Sequence, residues 1–84
     1  MKIFWTKKAA KDLQYWKKCS SSDVERIKRL IESIEIDPFC GIGKPEPLKY
    51  SLEGCWSRRI SGEHRLVYKV NKGYIEILQC KYHY

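Results

Sequence analysis

The sequence predicts an α+β fold: a twisted antiparallel sheet with two N-terminal helices packed on one face, in the order β-α-α-β-β-β, with room for one further short strand. Three observations lead there. Apolar residues recur at helical spacing over the first half of the chain and alternate at strand spacing over the second. A length of 84 residues suits a single domain, residues 1–84, with a thin core. The composition, 43% hydrophobic and 13% aromatic with only three prolines, excludes a disordered tail or a low-complexity linker.

The elements follow in order. Lys2-Ile3-Phe4-Trp5 reads as a short strand. Thr6 can cap a helix in which Ala9, Leu13 and Trp16 recur at +4 and +3. Cys19-Ser20-Ser21-Ser22 breaks it, and the capping-box spacing of Ser22 and Glu25 predicts the start of a second helix. Val24, Ile27, Leu30, Ile31 and Ile34 form its apolar face, and Asp37-Pro38 ends it. Phe39 to Pro47 is a loop of Gly, Pro and Lys. Three strand-like runs follow, Trp56–Ser61, His64–Val70 and Tyr74–Tyr82, joined by Ser61-Gly62-Glu63 and Asn71-Lys72-Gly73; Leu48–Leu52 can add a short one.

Alternation assigns the faces of the sheet. Leu66, Tyr68 and Val70 oppose Arg65, Val67 and Lys69; Trp56 and Ile60 oppose Ser57 and Arg59; Leu78 and Cys80 oppose Gln79, Lys81 and His83. With the apolar sets under the helices, Arg59, Arg65, Lys81 and His83 gather on the open face. Ile75 and Ile77 share the parity of His83, a conflict that a bulge or an edge position would explain.

Charge narrows the choice of partner. Seventeen Lys+Arg against ten Asp+Glu give a net charge of +7, which attracts polyanions, nucleic acid first. Residues 1–22 hold six Lys and one Asp. No apolar run approaches a membrane span or a signal peptide, so a cytoplasmic protein without a membrane partner is expected. The four cysteines lack metal-ligand spacing and read as reduced thiols, Cys80 in the core and Cys19 and Cys40 in loops. Neither a metal nor a cofactor is expected.

The open face suggests a chemistry. Two arginines, a lysine and a histidine suit a phosphate, with Arg as a bidentate partner and His as a group that exchanges protons near neutrality. In Lys44-Pro45-Glu46-Pro47 the prolines stiffen the backbone and hold a carboxylate out between Lys44 and Lys49. Glu46 and His83 can then work on RNA as a pair. The carboxylate removes the proton of a ribose 2′-hydroxyl, and the imidazolium protonates the departing 5′-oxygen. Arg and Lys side chains stabilise the charge of the phosphorane. His64 shares the parity of Leu66 and Tyr68 and reads as structural.

Several runs carry a resemblance. Pro38-Phe39, Gly41, Gly43-Lys44-Pro45-Glu46-Pro47-Leu48-Lys49, Gly54, Trp56-Ser57-Arg58-Arg59-Ile60, Glu63-His64-Arg65-Leu66-Val67-Tyr68 and Tyr82-His83-Tyr84 strongly resemble the YoeB (Txe) toxins of the RelE/ParE superfamily. The resemblance covers essentially the whole chain. It implies a RelE-like fold and a ribosome-dependent endonuclease that cleaves mRNA in the ribosomal A site. It also implies restraint by a YefM/Phd-type antitoxin, with operator DNA bound only through the antitoxin complex. Glu46 matches the general base, His83 the general acid and Arg65 the phosphate-stabilising arginine. Lys49, Arg59 and Tyr84 match positions that hold phosphate or order the scissile nucleotide.

Two rival functions stay open on sequence. One is a ParE-like toxin directed at gyrase, the other a non-catalytic nucleic-acid-binding module. The Glu46/His83 pair favours the nuclease, because neither rival needs an acid–base couple. On the first helix, Lys7, Lys8, Lys11, Lys17 and Lys18 form a surface expected to meet rRNA phosphates without sequence preference. A homodimer is neither required nor excluded.

Overall fold

A computed structural model describes residues 1–82. Strand β1 (Lys2–Trp5) leads into helices α1 (Lys7–Cys19) and α2 (Ser21–Ile36), then strands β2 (Glu46–Pro47), β3 (Cys55–Ser61), β4 (His64–Asn71) and β5 (Tyr74–Gln79). The sheet order is β1-β5-β4-β3-β2. From β2 to β5 every pairing is antiparallel; β1 joins β5 in parallel at the far edge, which makes the sheet mixed rather than wholly antiparallel. The helical hairpin between β1 and the remaining strands lets β1 enter beside β5 in that direction.

Thr6 caps α1 as expected, its hydroxyl accepting from the Ala9 amide at 3.1 Å. The cap of α2 lies two residues before the predicted one. Ser20 accepts from the Asp23 amide at 3.3 Å, and only that single residue separates the helices. Cys19 is thus the last residue of α1 rather than part of a loop. Ile27, Leu30 and Ile34 of α2 join Ala9 and Trp16 of α1 over Ile60, Leu66, Tyr68, Ile75 and Ile77 of the sheet in one core cluster. Among the described residues no helix is long and apolar enough to cross a membrane.

The parity conflict in β5 is a bulge. Tyr68 pairs with Ile77 but Val67 with Gln79, so Leu78 is inserted and the alternation changes phase. Ile75, Ile77 and Cys80 therefore all face the helices, whereas Leu78 packs on the opposite face, contrary to the sequence assignment. That opposite face is half covered. Leu48 and Leu52 cross it and pack with Cys55, Val67 and Leu78. The expected strand over Leu48–Leu52 is instead a 3₁₀ turn at Tyr50–Leu52; strand pairing is confined to Glu46 and Pro47. Proline donates no amide and so suits an edge strand. The turn leaves Tyr50 91% exposed while Leu48 is buried.

Candidate active site on the open sheet face

β3 is the strand on which the site is assembled. Its neighbours set Glu46 directly across from Ser57, and Arg65 directly across from Arg59. Opposed residues share a face, and Ser57 and Arg59 are two apart, so Glu46, Arg59 and Arg65 project from the same surface. Glu46 and Arg59 are diagonal neighbours, about 7–8 Å apart between backbones and within reach of long side chains.

Among the described residues these charges have no ion-pair partner. Among the described residues the ion pairs are Lys8–Asp12 and Lys28–Glu25, both on the helices. Like charges opposed across a ladder repel and destabilise it. An Arg–Arg pair beside a loop carboxylate therefore suits an anion that would bridge the guanidinium groups. Arg65 is also pre-oriented. Its Nη1 donates to the carbonyls of Gly62 at 2.7 Å and His64 at 3.0 Å, and its Nε and Nη2 have no partner among the described residues. Arg59 is exposed.

Lys49 follows Glu46 at the start of the 3₁₀ turn, and both line a shallow depression with Pro47, Leu48 and Tyr50. Among the described residues, Lys44, Tyr50 and Tyr82 are the non-glycine residues with positive φ, at 50°, 58° and 60°. They flank Glu46, Lys49 and His83 in the sequence. Such backbone costs about 1–3 kcal/mol per residue and persists where its surroundings over-determine it.

His83 and Tyr84 lie outside the described residues. The chain leading to them is held at several points. Cys80 donates its amide to the Asp12 carboxylate at 3.1 Å, and its carbonyl accepts from Trp16 Nε1 at 2.7 Å. The Tyr82 amide donates to His64 Nδ1 at 2.7 Å, and its carbonyl accepts from the Arg65 amide at 3.0 Å. The His64 ring packs edge-on to Trp16 at 4.7 Å, on the helix side that its parity predicts. Lys81 does not join the open face. The chain leaves the sheet after Gln79, and Lys81 Nζ sits 4.0 Å over the Tyr15 ring of α1. Asp12, read only as the lone acid of the basic helix, is buried and ties α1 to the end of β5.

The lysines of α1 (Lys7, Lys8, Lys11, Lys17 and Lys18) are exposed, in the layer opposite Arg59 and Arg65. The cysteines are free; Cys55 and Cys80 are buried. Burial, and to a lesser degree the Asp12 charge, push the Cys80 thiol up to about 12.

This fold has counterparts. A family model described as "YoeB-like toxin of bacterial type II toxin-antitoxin system" matches residues 5–84. The chain belongs to this family. Toxin YoeB of Escherichia coli strain K12 is 46% identical over 84 residues, the full length of both chains. Among solved structures, the YoeB/ParE toxin from Agrobacterium tumefaciens superposes with a TM-score of 0.97 at 44% identity over the whole of both chains. The toxin in a heterotetrameric YoeB-YefM complex from Staphylococcus aureus gives 0.91 at 44% identity, over 100% of this chain and 98% of that one. The α+β architecture of this YoeB-family chain is thus the one those toxins share.

Arg58 is the residue that sequence reasoning passed over. It is fully buried in β3 between Ser57 and Arg59. Its parity with Trp56 and Ile60 was the available signal: a cation in an otherwise apolar row under the helices.

Proposed function

We propose that residues 1–84 act as a single toxin domain, a ribosome-dependent endoribonuclease that cleaves mRNA in the ribosomal A site and so inhibits translation. The observation that carries this reading is the placement of Glu46 beside the opposed pair Arg59 and Arg65 on the open face of a YoeB-family fold. Glu46 takes the proton of the ribose 2′-hydroxyl upstream of the cut. The 2′-oxygen attacks phosphorus, and the bond to the 5′-oxygen breaks. His83 gives that oxygen its proton, leaving a 2′,3′-cyclic phosphate and a 5′-hydroxyl. Arg65 stabilises the charge that develops on the phosphorane, while Arg59 and Lys49 hold phosphate and Tyr84 orders the scissile nucleotide. The ParE-like and purely binding alternatives would leave the Glu46 carboxylate beside the two arginines without a task.

The partner is an antitoxin, of YefM/Phd type on the strength of the YoeB-YefM complexes of the Staphylococcus aureus relative. Its flexible acidic segment would fold onto the basic open face, and operator DNA would be bound through that complex. The lysines of α1 would hold rRNA phosphates.

The deciding experiment places a 2′-deoxynucleotide immediately upstream of the cleavage site in mRNA bound to ribosomes. Cleavage should stop there and persist on the all-ribose control. Continued cutting at the deoxy position would overturn the mechanism.

A further inference from the structure

Arg58 is fully buried in β3, on the helix face. A guanidinium has five N–H donors, and all five are used. Nε donates to the Tyr68 hydroxyl at 3.0 Å; Nη1 to Ser33 Oγ at 2.7 Å and the Ile42 carbonyl at 3.1 Å; Nη2 to the Asp37 and Cys40 carbonyls, both at 2.9 Å. Tyr68 passes the network on, its hydroxyl donating to the Pro38 carbonyl at 2.7 Å. None of the acceptors of Arg58 is a carboxylate. The buried charge is held by oriented carbonyls and hydroxyls instead, and it meets the C-terminus of α2, whose own last turn carries no basic residue.

Every backbone group in this set belongs to the segment 37–42, which leads into Glu46. The next residue closes the connection, the Gly43 carbonyl accepting from the Arg59 amide at 2.7 Å. Successive residues of β3 therefore grip the loop, and three residues after Asp37-Pro38-Phe39-Cys40-Gly41-Ile42-Gly43 the chain reaches β2 with Glu46 across from Ser57. The fit around the pin is tight. A Cβ on Gly41 would lie 2.1 Å from Ser33 Oγ and 3.0 Å from Arg58 Nη1, and one on Gly43 2.7 Å from Leu30 Cδ2.

We infer that Arg58 is a positioning residue for the reaction: its guanidinium sets the path of residues 37–43, and through it the place of the Glu46 carboxylate relative to Arg59 and Arg65. This rests on the reading of Glu46 as the general base. Arg58 touches neither substrate nor reacting atoms in that scheme; it acts through the loop.

The obvious variant, Arg58→Lys, keeps the charge but supplies at most three donors, and it can fail to fold. Ser33→Ala and Tyr68→Phe each remove one acceptor while the guanidinium stays, so their double variant is the working probe. In the full chain acting on programmed ribosomes, the double variant should lower kcat by up to about 10²-fold, the scale of loss for a misplaced catalytic group, with KM unchanged. Amide exchange at Arg59 should accelerate, because its acceptor at Gly43 loosens. In a Glu46→Gln background the same pair should cause no further loss. An unchanged kcat, an equal fold-loss in both backgrounds, or a lowered kcat with Arg59 exchange unaltered would each overturn the proposal. Should Glu46→Gln alone cleave like the parent, the base assignment falls, and exchange at Arg59 then decides by itself whether Arg58 holds the loop.

Discussion

The two faces of the sheet treat the same side chain in opposite ways. Under the helices, Arg58 is surrounded and every donor has an acceptor; one residue later, on the open face, Arg59 is exposed beside Arg65 with no ion pair among the described residues. Strand alternation alone separates the two. Enclosed by α2 and the loop after it, a cation fastens chain; left open, it raises local positive potential where a phosphate can bind. Charge on this protein therefore has two uses, and the face decides which.

The contrast can be broken most sharply from the open side. Glu46→Gln and Arg65→Ala should each reduce cleavage at least about 10²-fold, the usual scale for acid–base and charge-stabilising groups. Because Glu46 is exposed, its substitution should leave unfolding free energy within about 0.5 kcal/mol of the parent. Single-turnover cleavage and urea melts of the same preparations check both halves. A large loss of stability in Glu46→Gln would erase the distinction between the faces.

On the enclosed side the expected loss is of stability. Gly43→Ala places a methyl against Leu30 with φ at +84°, and should cost about 2–4 kcal/mol. Gly62→Ala, at the β3–β4 turn with nothing within 4 Å of the added carbon, should cost about 1 kcal/mol. Denaturant midpoints of the two variants measure the difference directly.

A pH series sharpens the contrast through buried groups. Burial raises the thiols of Cys80 and Cys55 and the Tyr68 hydroxyl; a smaller contribution from the Arg58 bond lowers Tyr68. A raised folded pKa means that the unfolded chain releases its proton first. The stability that the neutral Cys80 thiol contributes is complete below the ordinary thiol pKa of 9.0 and is lost as pH rises towards about 12; Cys55 and Tyr68, also raised by burial, act in the same direction. Thermal midpoints should fall above pH 9, and Cys19 and Cys40, both exposed, should alkylate at pH 8 while Cys80 resists. Alkylation of native Cys80 at the rate of Cys19 would contradict the burial described.

The smallest effects belong to α1. Replacing Lys11, Lys17 and Lys18 by Gln should leave stability within about 0.5 kcal/mol. It should also flatten the salt dependence of ribosome binding, by roughly one unit of slope for each phosphate contact removed. Affinity titrations at several salt concentrations test this; an unchanged slope would make that helix face a solvated one only.

Much of this was legible in the sequence because periodicity reports burial. The 3/4 spacing of Ile27, Leu30 and Ile34 locates the face of α2, and alternation in β4 separates Leu66 and Tyr68 from Arg65. The errors fall where a local pattern meets a distant constraint. The cap of α2 went to Ser22 instead of Ser20 because two serines offered plausible spacings. Leu78 was assigned to the wrong face because a one-residue bulge changes parity without a local mark. Lys81 left its expected place when the chain turned off the sheet towards Tyr15.

What the amino-acid sequence determined by itself is the two helices and the strands β1, β3, β4 and β5, the side of the sheet on which Arg59 and Arg65 emerge, and the stiff arm bearing Glu46. These depend on neighbours within a few residues, through φ restriction and the period of apolar positions. Tertiary structure alone decided the parallel seat of β1, the return of Leu48 and Leu52 across the open face, and the five-bond burial of Arg58. Each of those joins segments far apart in the chain, where the geometry of packing sets the contact and no local pattern records it.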